Sequence, residues 1–198
     1  AKYPAKRKTK ISGSVNYLPI EMPQGAWIPT LFLSGANALM DRKKVQALTG
    51  FDTIYAPFYV EDTDLSMRAW RLGWRCYYEH QSICRHPTST TIATYHKKRS
   101  VKITALGNRH IFHSIHLQGD SLSKWKLQLA IEFMYQWLIG NTVFYKAFAR
   151  FWGKRAQIKK SRAQMNQLFQ QFQKEPIGGM QVVENLQAEL KGWTIKQF

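Results

Sequence analysis

Acidic residues are scarce in this chain. Only 12 Asp and Glu stand against 29 Lys and Arg in 198 residues, a formal net charge of +17. That imbalance implies an anionic partner, which on charge alone is nucleic acid, an acidic lipid surface or an anionic substrate. Cysteine is rarer still. Cys76 and Cys84 lack the C-x-x-C spacing of a metal or redox pair, so both are read as buried free thiols on neighbouring strands of a cytosolic protein. No run of about 18 uncharged apolar residues occurs, so no membrane-spanning helix is expected. Residues 1–10 are basic with no apolar core behind them, and no secretory leader is read there. Internal repeats are absent. What is present, 44% apolar and 14% aromatic residues, marks a folded chain and not a disordered one.

Residues 11–30 carry Gly13, Pro19, Pro23, Gly25 and Pro29 and read as loop with short extended pieces. Residues 31–40 are apolar around Gly35, the pattern of a strand, a turn or bulge, and a second strand. Asp41 is placed to cap a short helix over 42–48 that Thr49-Gly50 stops. Asp62 or Thr63 is placed to cap a second, amphipathic helix with Leu65, Ala69 and Leu72 on one face and Gly73 as its stop. Residues 74–83 read as a strand ending at His86-Pro87. From about residue 101 the chain turns helical, with Gly107 a possible break. Two helices flank Gly140-Asn141, a glutamine-rich helix runs to about residue 174, and the last residues form a tail or short helix.

The densest chemistry is Glu61-Asp62-Thr63-Asp64-Leu65, three carboxylates within four residues. Carboxylates packed this closely repel one another, which points to use as a metal ligand or proton acceptor. The alternative is that they only favour a helix N-terminus. Gly50-Phe51-Asp52 precedes the cluster, Arg68 and Gly73-Trp74 follow it, and His86 closes the next segment. The set G-F-D, E-D-x-D-L, R-x-x-x-x-G-aromatic and a terminal His resembles the acceptor half of a family 2 glycosyltransferase, over roughly residues 30–115.

The resemblance implies an α/β fold: the C-terminal half of a GT-A (Rossmann-like) domain over 1–118, then a basic amphipathic helical region over 119–175 and a C-terminal piece over 176–198. It implies transfer of a sugar, with inversion, from a nucleotide-sugar donor to a hydroxyl acceptor. A sugar hydroxyl is a poor nucleophile, so one carboxylate must take its proton during attack. That base maps onto Asp62, with Glu61 orienting it or touching the acceptor. Asp64 is placed beside the substrate or as a brace for its helix. The Ser34-Gly35-Ala36-Asn37 turn would lie beneath sugar or acceptor, with Gly35 and Ala36 in contact, or would simply serve a bulge. Arg68, Arg71 and Arg75 could meet a diphosphate, with most of them solvated. His86 would help hold a divalent metal, Mn or Mg, or would only cap its strand. The family's nucleotide-binding half and its upstream Asp-x-Asp are not found, so the chain is expected to be the C-terminal portion of a longer enzyme.

Residues 123–162 interleave aromatic and basic side chains. They admit a helical hairpin packed on the catalytic domain, a surface dipping into an anionic bilayer, or a nucleic-acid site. Aromatic residues at helical spacing among Leu and Ile favour packing plus membrane contact, and nucleic acid is not the expected partner, since a base-stacking platform needs no such spacing. The expected setting is therefore cytoplasmic, peripheral at the inner face of the cell membrane, with a glycan or lipid-linked acceptor. The competing reading is a non-enzymatic basic module that binds anionic membrane or nucleic acid.

Overall fold

A computed structural model of the protein describes residues 1–21, 25–82, 84 and 97–198. Its strands are short and pair two at a time. β1 (Ala5–Arg7) runs antiparallel to β2 (Lys10–Ser12), β3 (Tyr17–Pro19) to the last strand β6 (Ile195–Gln197), and β4 (Ile28–Pro29) to β5 (Tyr77–Tyr78). No parallel sheet forms among the described residues. The strand–turn–strand expected over 31–40 is a loop instead. Its backbone is held by contacts outside any ladder, such as the Leu33 amide donating to Ser66 Oγ at 3.0 Å. The long strand expected over 74–83 is reduced to β5.

The helices carry the fold. α1 (Arg42–Ala47) begins where Asp41 accepts from the Lys44 amide at 3.1 Å, and the chain turns out of it through Thr49 and Gly50, both at positive φ. α2 (Glu61–Arg71) starts one residue before the expected caps, so Asp62 lies in its first turn. Val60 occupies the cap position with no side-chain bond. The helix is less amphipathic than its pattern implies, because Asp64, Leu65, Ser66, Met67, Arg68, Trp70 and Arg71 are all buried. Gly73 ends it at φ 78°.

α3 (Lys98–His116) is buried over much of its C-terminal half. Gly107 does not break it. A Cβ there would meet Arg150 Cδ at 2.8 Å and the Ala147 carbonyl at 3.1 Å, so glycine is what lets the next helices come this close. α4 (Gly119–Leu138) and α5 (Thr142–Gly153) form the expected hairpin, with Asn141 capping the Phe144 amide. α6 (Arg155–Gln171) lays Met165 and Phe169 against Leu48, Leu65 and Leu72. α7 (Gly179–Leu190) completes the core around Met67, Ile111, Ile115 and Trp125 with Met180, Val183 and Leu186. Cys76 is buried, but Cys84 is exposed, so the thiols are not the buried pair the sequence implied. No helix among the described residues is long and apolar enough to cross a membrane.

Candidate active site

The acidic cluster divides at the first turn of α2. A helix repeats every 3.6 residues, so positions 62 and 64 point about 200° apart. Asp64 turns inward and is 1% exposed. Its Oδ2 accepts from Arg68 Nε at 2.7 Å, and its Oδ1 accepts from Tyr55 OH at 2.9 Å and His116 Nε2 at 2.8 Å. Burial alone would raise this carboxyl, but the Arg68 guanidinium and the two other donors outweigh it and hold the pKa at about 2. Arg68 also donates to the Leu48 and Gly50 carbonyls. Asp64, read as a substrate contact or as a brace for its helix, takes the bracing place, and Arg68, expected at the substrate, is saturated with it inside the protein.

Arg71 is likewise withdrawn. It is 2% exposed, donates to the Ile177 carbonyl at 2.7 Å and lies over the Phe169 ring. Arg75 pairs with Glu189 at the surface. Of the expected diphosphate contacts, Arg68 and Arg71 on this helix are withdrawn, and Arg75 beyond it is exposed but paired.

Glu61 and Asp62 stay at the open end. They line a cleft of about 530 Å³ with Ser34, Gly35 and Ala36 opposite, so the structure brings together four of the expected site residues. Ser66 Oγ donates to the Asp62 carbonyl and accepts from the Leu33 amide, which pins the 31–36 loop across the start of α2. The Gly35 amide reaches Asp62 Oδ2 at 3.4 Å, and Oδ1 accepts from the Thr63 amide at 2.7 Å. Oδ2 thus has only a long bond to hold it, on a residue that lines the cleft. Glu61 Oε2 is buried without a partner. Burial pushes the Glu61 carboxyl up, its own backbone amide offsets part of the rise, and the charge of Asp62 adds to it. A buried, unpaired carboxylate oxygen is costly unless a ligand hydroxyl reaches it.

The approach to these acids is strained. Tyr59 and Val60 adopt φ of 72° and 82°, a region unfavourable for bulky residues and most of all for the β-branched Val60, worth about 1–3 kcal/mol of strain each. Asn108, wholly buried in α3, supports this loop. Its amide donates to the carbonyls of Tyr55, Phe58 and Tyr59 at 2.7–2.9 Å, and Arg150 Nε donates to its Oδ1 at 3.1 Å. Arg150 and Lys154 also donate to the Ala56 and Ile54 carbonyls. Nothing in the sequence revealed the grip of Asn108 on the loop.

Asp62 also lines a second cleft on its other side, about 700 Å³ in volume, with Lys2, Arg7, Lys102 and Arg109 in its walls. It therefore stands on the wall shared by a basic cleft and one that presents backbone and carboxylate. Among the described residues no cluster of His, Cys, Asp and Glu could hold a metal. Asp62-x-Asp64 does not act as such a cluster, because Asp64 is committed to Arg68, Tyr55 and His116. His86 lies outside the described residues.

The chain belongs to glycosyl transferase family group 2, whose model matches residues 24–153, nearly two thirds of its length. It is accordingly a glycosyltransferase, working between a sugar donor and an acceptor. No curated protein and no solved structure matches.

Proposed function

We propose that the chain forms the acceptor and base side of an inverting, nucleotide-sugar-dependent transferase with a GT-A-type domain. The observation that carries this reading is the position of Asp62 between two clefts of opposite character. An acceptor hydroxyl in the cleft beside Gly35, Ala36 and Glu61 gives its proton to Asp62 as its oxygen attacks the anomeric carbon. The bond from that carbon to the diphosphate breaks as the new glycosidic bond forms, and the electron pair leaves with the phosphate oxygen. Lys2, Arg7, Lys102 and Arg109 suit that developing anion. A single displacement of this kind inverts the anomeric centre. A divalent cation, Mn or Mg, would be held with the help of His86 and would stabilise charge on the departing diphosphate.

The setting we propose is the inner face of the cell membrane, in envelope glycan or polysaccharide synthesis. Leu127, Ile131, Met134, Trp137, Leu138 and Trp152 all stand more than half exposed on α4 and α5, and Lys124, Lys126 and Lys146 lie on the same two helices. Apolar side chains flanked by cations match an anionic bilayer surface.

The test is Asp62→Asn. Loss of a general base lowers turnover by about 10²–10⁴-fold, with binding of UDP, dTDP or GDP unchanged by calorimetry. Wild-type turnover in that variant would remove Asp62 from the mechanism.

A further inference from the structure

We propose that the acceptor is a glycan chain of two or more sugars, and that its inner sugars lie in a third cleft walled by a glutamine face of α6. This rests on the reading that the cleft beside Asp62 receives the acceptor, and states what lies beyond it. Phe51, Asp52 and Thr53 line that cleft and also a cavity of about 440 Å³ whose far wall is α6. The two spaces meet across these three residues, and each has the size of a ligand site, about 300–1,000 Å³.

The α6 wall presents Gln157, Gln164, Gln167 and Gln171, with Lys160 and Ser161 between them. Their spacing of seven, three and four residues keeps the glutamines on one helix face. A row of carboxamides offers donors and acceptors together with no net charge. Sugar hydroxyls, each both donor and acceptor, match such a row. Leu48, Ile54, Ile115, Met165 and Leu168 supply apolar lining for the C–H faces of sugar rings, and because Arg68 is committed to Asp64 a phosphate finds few cations there.

Where the two spaces join, Phe51 leaves 48% of its surface in water. An exposed ring at the bend of a polar groove gives the C–H face of a pyranose an apolar surface to cover. The wall is also fixed in advance. Asp52 accepts from the Ile54 amide at 2.9 Å through Oδ1 and from Ser161 Oγ at 2.6 Å through Oδ2, so one carboxylate ties the Phe51 turn to α6. Groups held this way lose little further freedom on binding.

The experiment is a saturation-transfer NMR titration of the chain with glucose, mannose, galactose and N-acetylglucosamine, and with the β-1,4-linked tetrasaccharide of each. At least one tetrasaccharide binds tenfold or more tightly than its monosaccharide. Gln164→Ala with Gln167→Ala brings that ratio close to one and leaves monosaccharide binding unchanged, and Phe51→Ala, made separately, lowers the ratio as well. All three side chains are exposed, and circular dichroism checks that the variants fold. Equal affinity of every tetrasaccharide and its monosaccharide, or a ratio that survives both sets of substitutions, overturns the proposal. Asp62→Asn keeps the ratio. If that variant also transferred sugar at the wild-type rate, the catalytic reading would fail while the groove stood.

Discussion

Two carboxylates separated by one residue are expected to answer the same substitution in opposite ways. In Asp64→Asn the Arg68 guanidinium, 8% exposed, loses its counter-charge. One side-chain oxygen is left for three donors, from Arg68, Tyr55 and His116, and the new amide must point its protons at one of them. Removing one partner of a buried ion pair costs about 3–5 kcal/mol. Arg68 keeps the Leu48 and Gly50 carbonyls, which argues for about 3 kcal/mol here. At about 2–4 °C per kcal/mol for a chain of this size, the melting temperature falls by roughly 6–12 °C. Asp62→Asn removes no buried charge and stays within about 0.5 kcal/mol of wild type. Urea unfolding followed by tryptophan fluorescence measures both. Pairing Asp64→Asn with Arg68→Met recovers part of the loss, since it removes the stranded cation. A wild-type urea midpoint for Asp64→Asn, or a larger loss at Asp62 than at Asp64, would refute the division of labour.

Stability should also fall in mild acid. Burial lowers His110, His113 and His116 to about 4 from an ordinary value near 6.5, so the unfolded chain takes up protons first. Their contribution is complete above pH 6.5 and is lost as the pH drops toward 4; urea midpoints that do not change between pH 7.5 and 4.5 would contradict this. Gly107→Ala drives a methyl against the Ala147 carbonyl and Arg150, and is expected to lower stability by about 1–3 kcal/mol despite alanine's better helix propensity, a loss calorimetric melting would register. Trp137→Ser with Trp152→Ser should weaken binding to phosphatidylglycerol vesicles at least tenfold in a sedimentation assay, and unchanged pelleting would point to a protein partner for these exposed aromatic residues.

The sequence made the helices legible and the sheets illegible, for physical reasons. α1, the hairpin of α4 and α5, and the glutamine-rich α6 each announce themselves by caps, glycine stops and periodic apolar residues. The 31–40 segment has the composition of a strand, yet side chains of α2 hold its backbone, and no local pattern reveals a partner that distant. The same limit applied to the site. Glu61, Asp62, Gly35 and Ala36 were readable because a motif gathers them within one short stretch. Arg68 matched the motif equally well, but its role was decided by Leu48 and Gly50, twenty and eighteen residues away. Tyr55, Asn108 and His116 meet α2 and its approach only through tertiary packing, and the Phe51 junction with α6 depends on an Asp52–Ser161 bond across 109 residues.

Along α3, Asn108 holds the loop that leads into the acids, His113 receives the Ile11 amide at 3.0 Å, and His116 reaches Asp64. Eight residues at 1.5 Å each set the first and last of these about 12 Å apart and about 80° around the axis. The helix therefore works as a ruler. Inserting or deleting a single residue between 108 and 116 would turn one end by 100° against the other and put the loop and the buried acid out of phase. Loop lengths elsewhere are free to drift, but this interval is not, and an Asn followed by a His eight positions later, downstream of an E-D-x-D, is a searchable mark of chains built the same way.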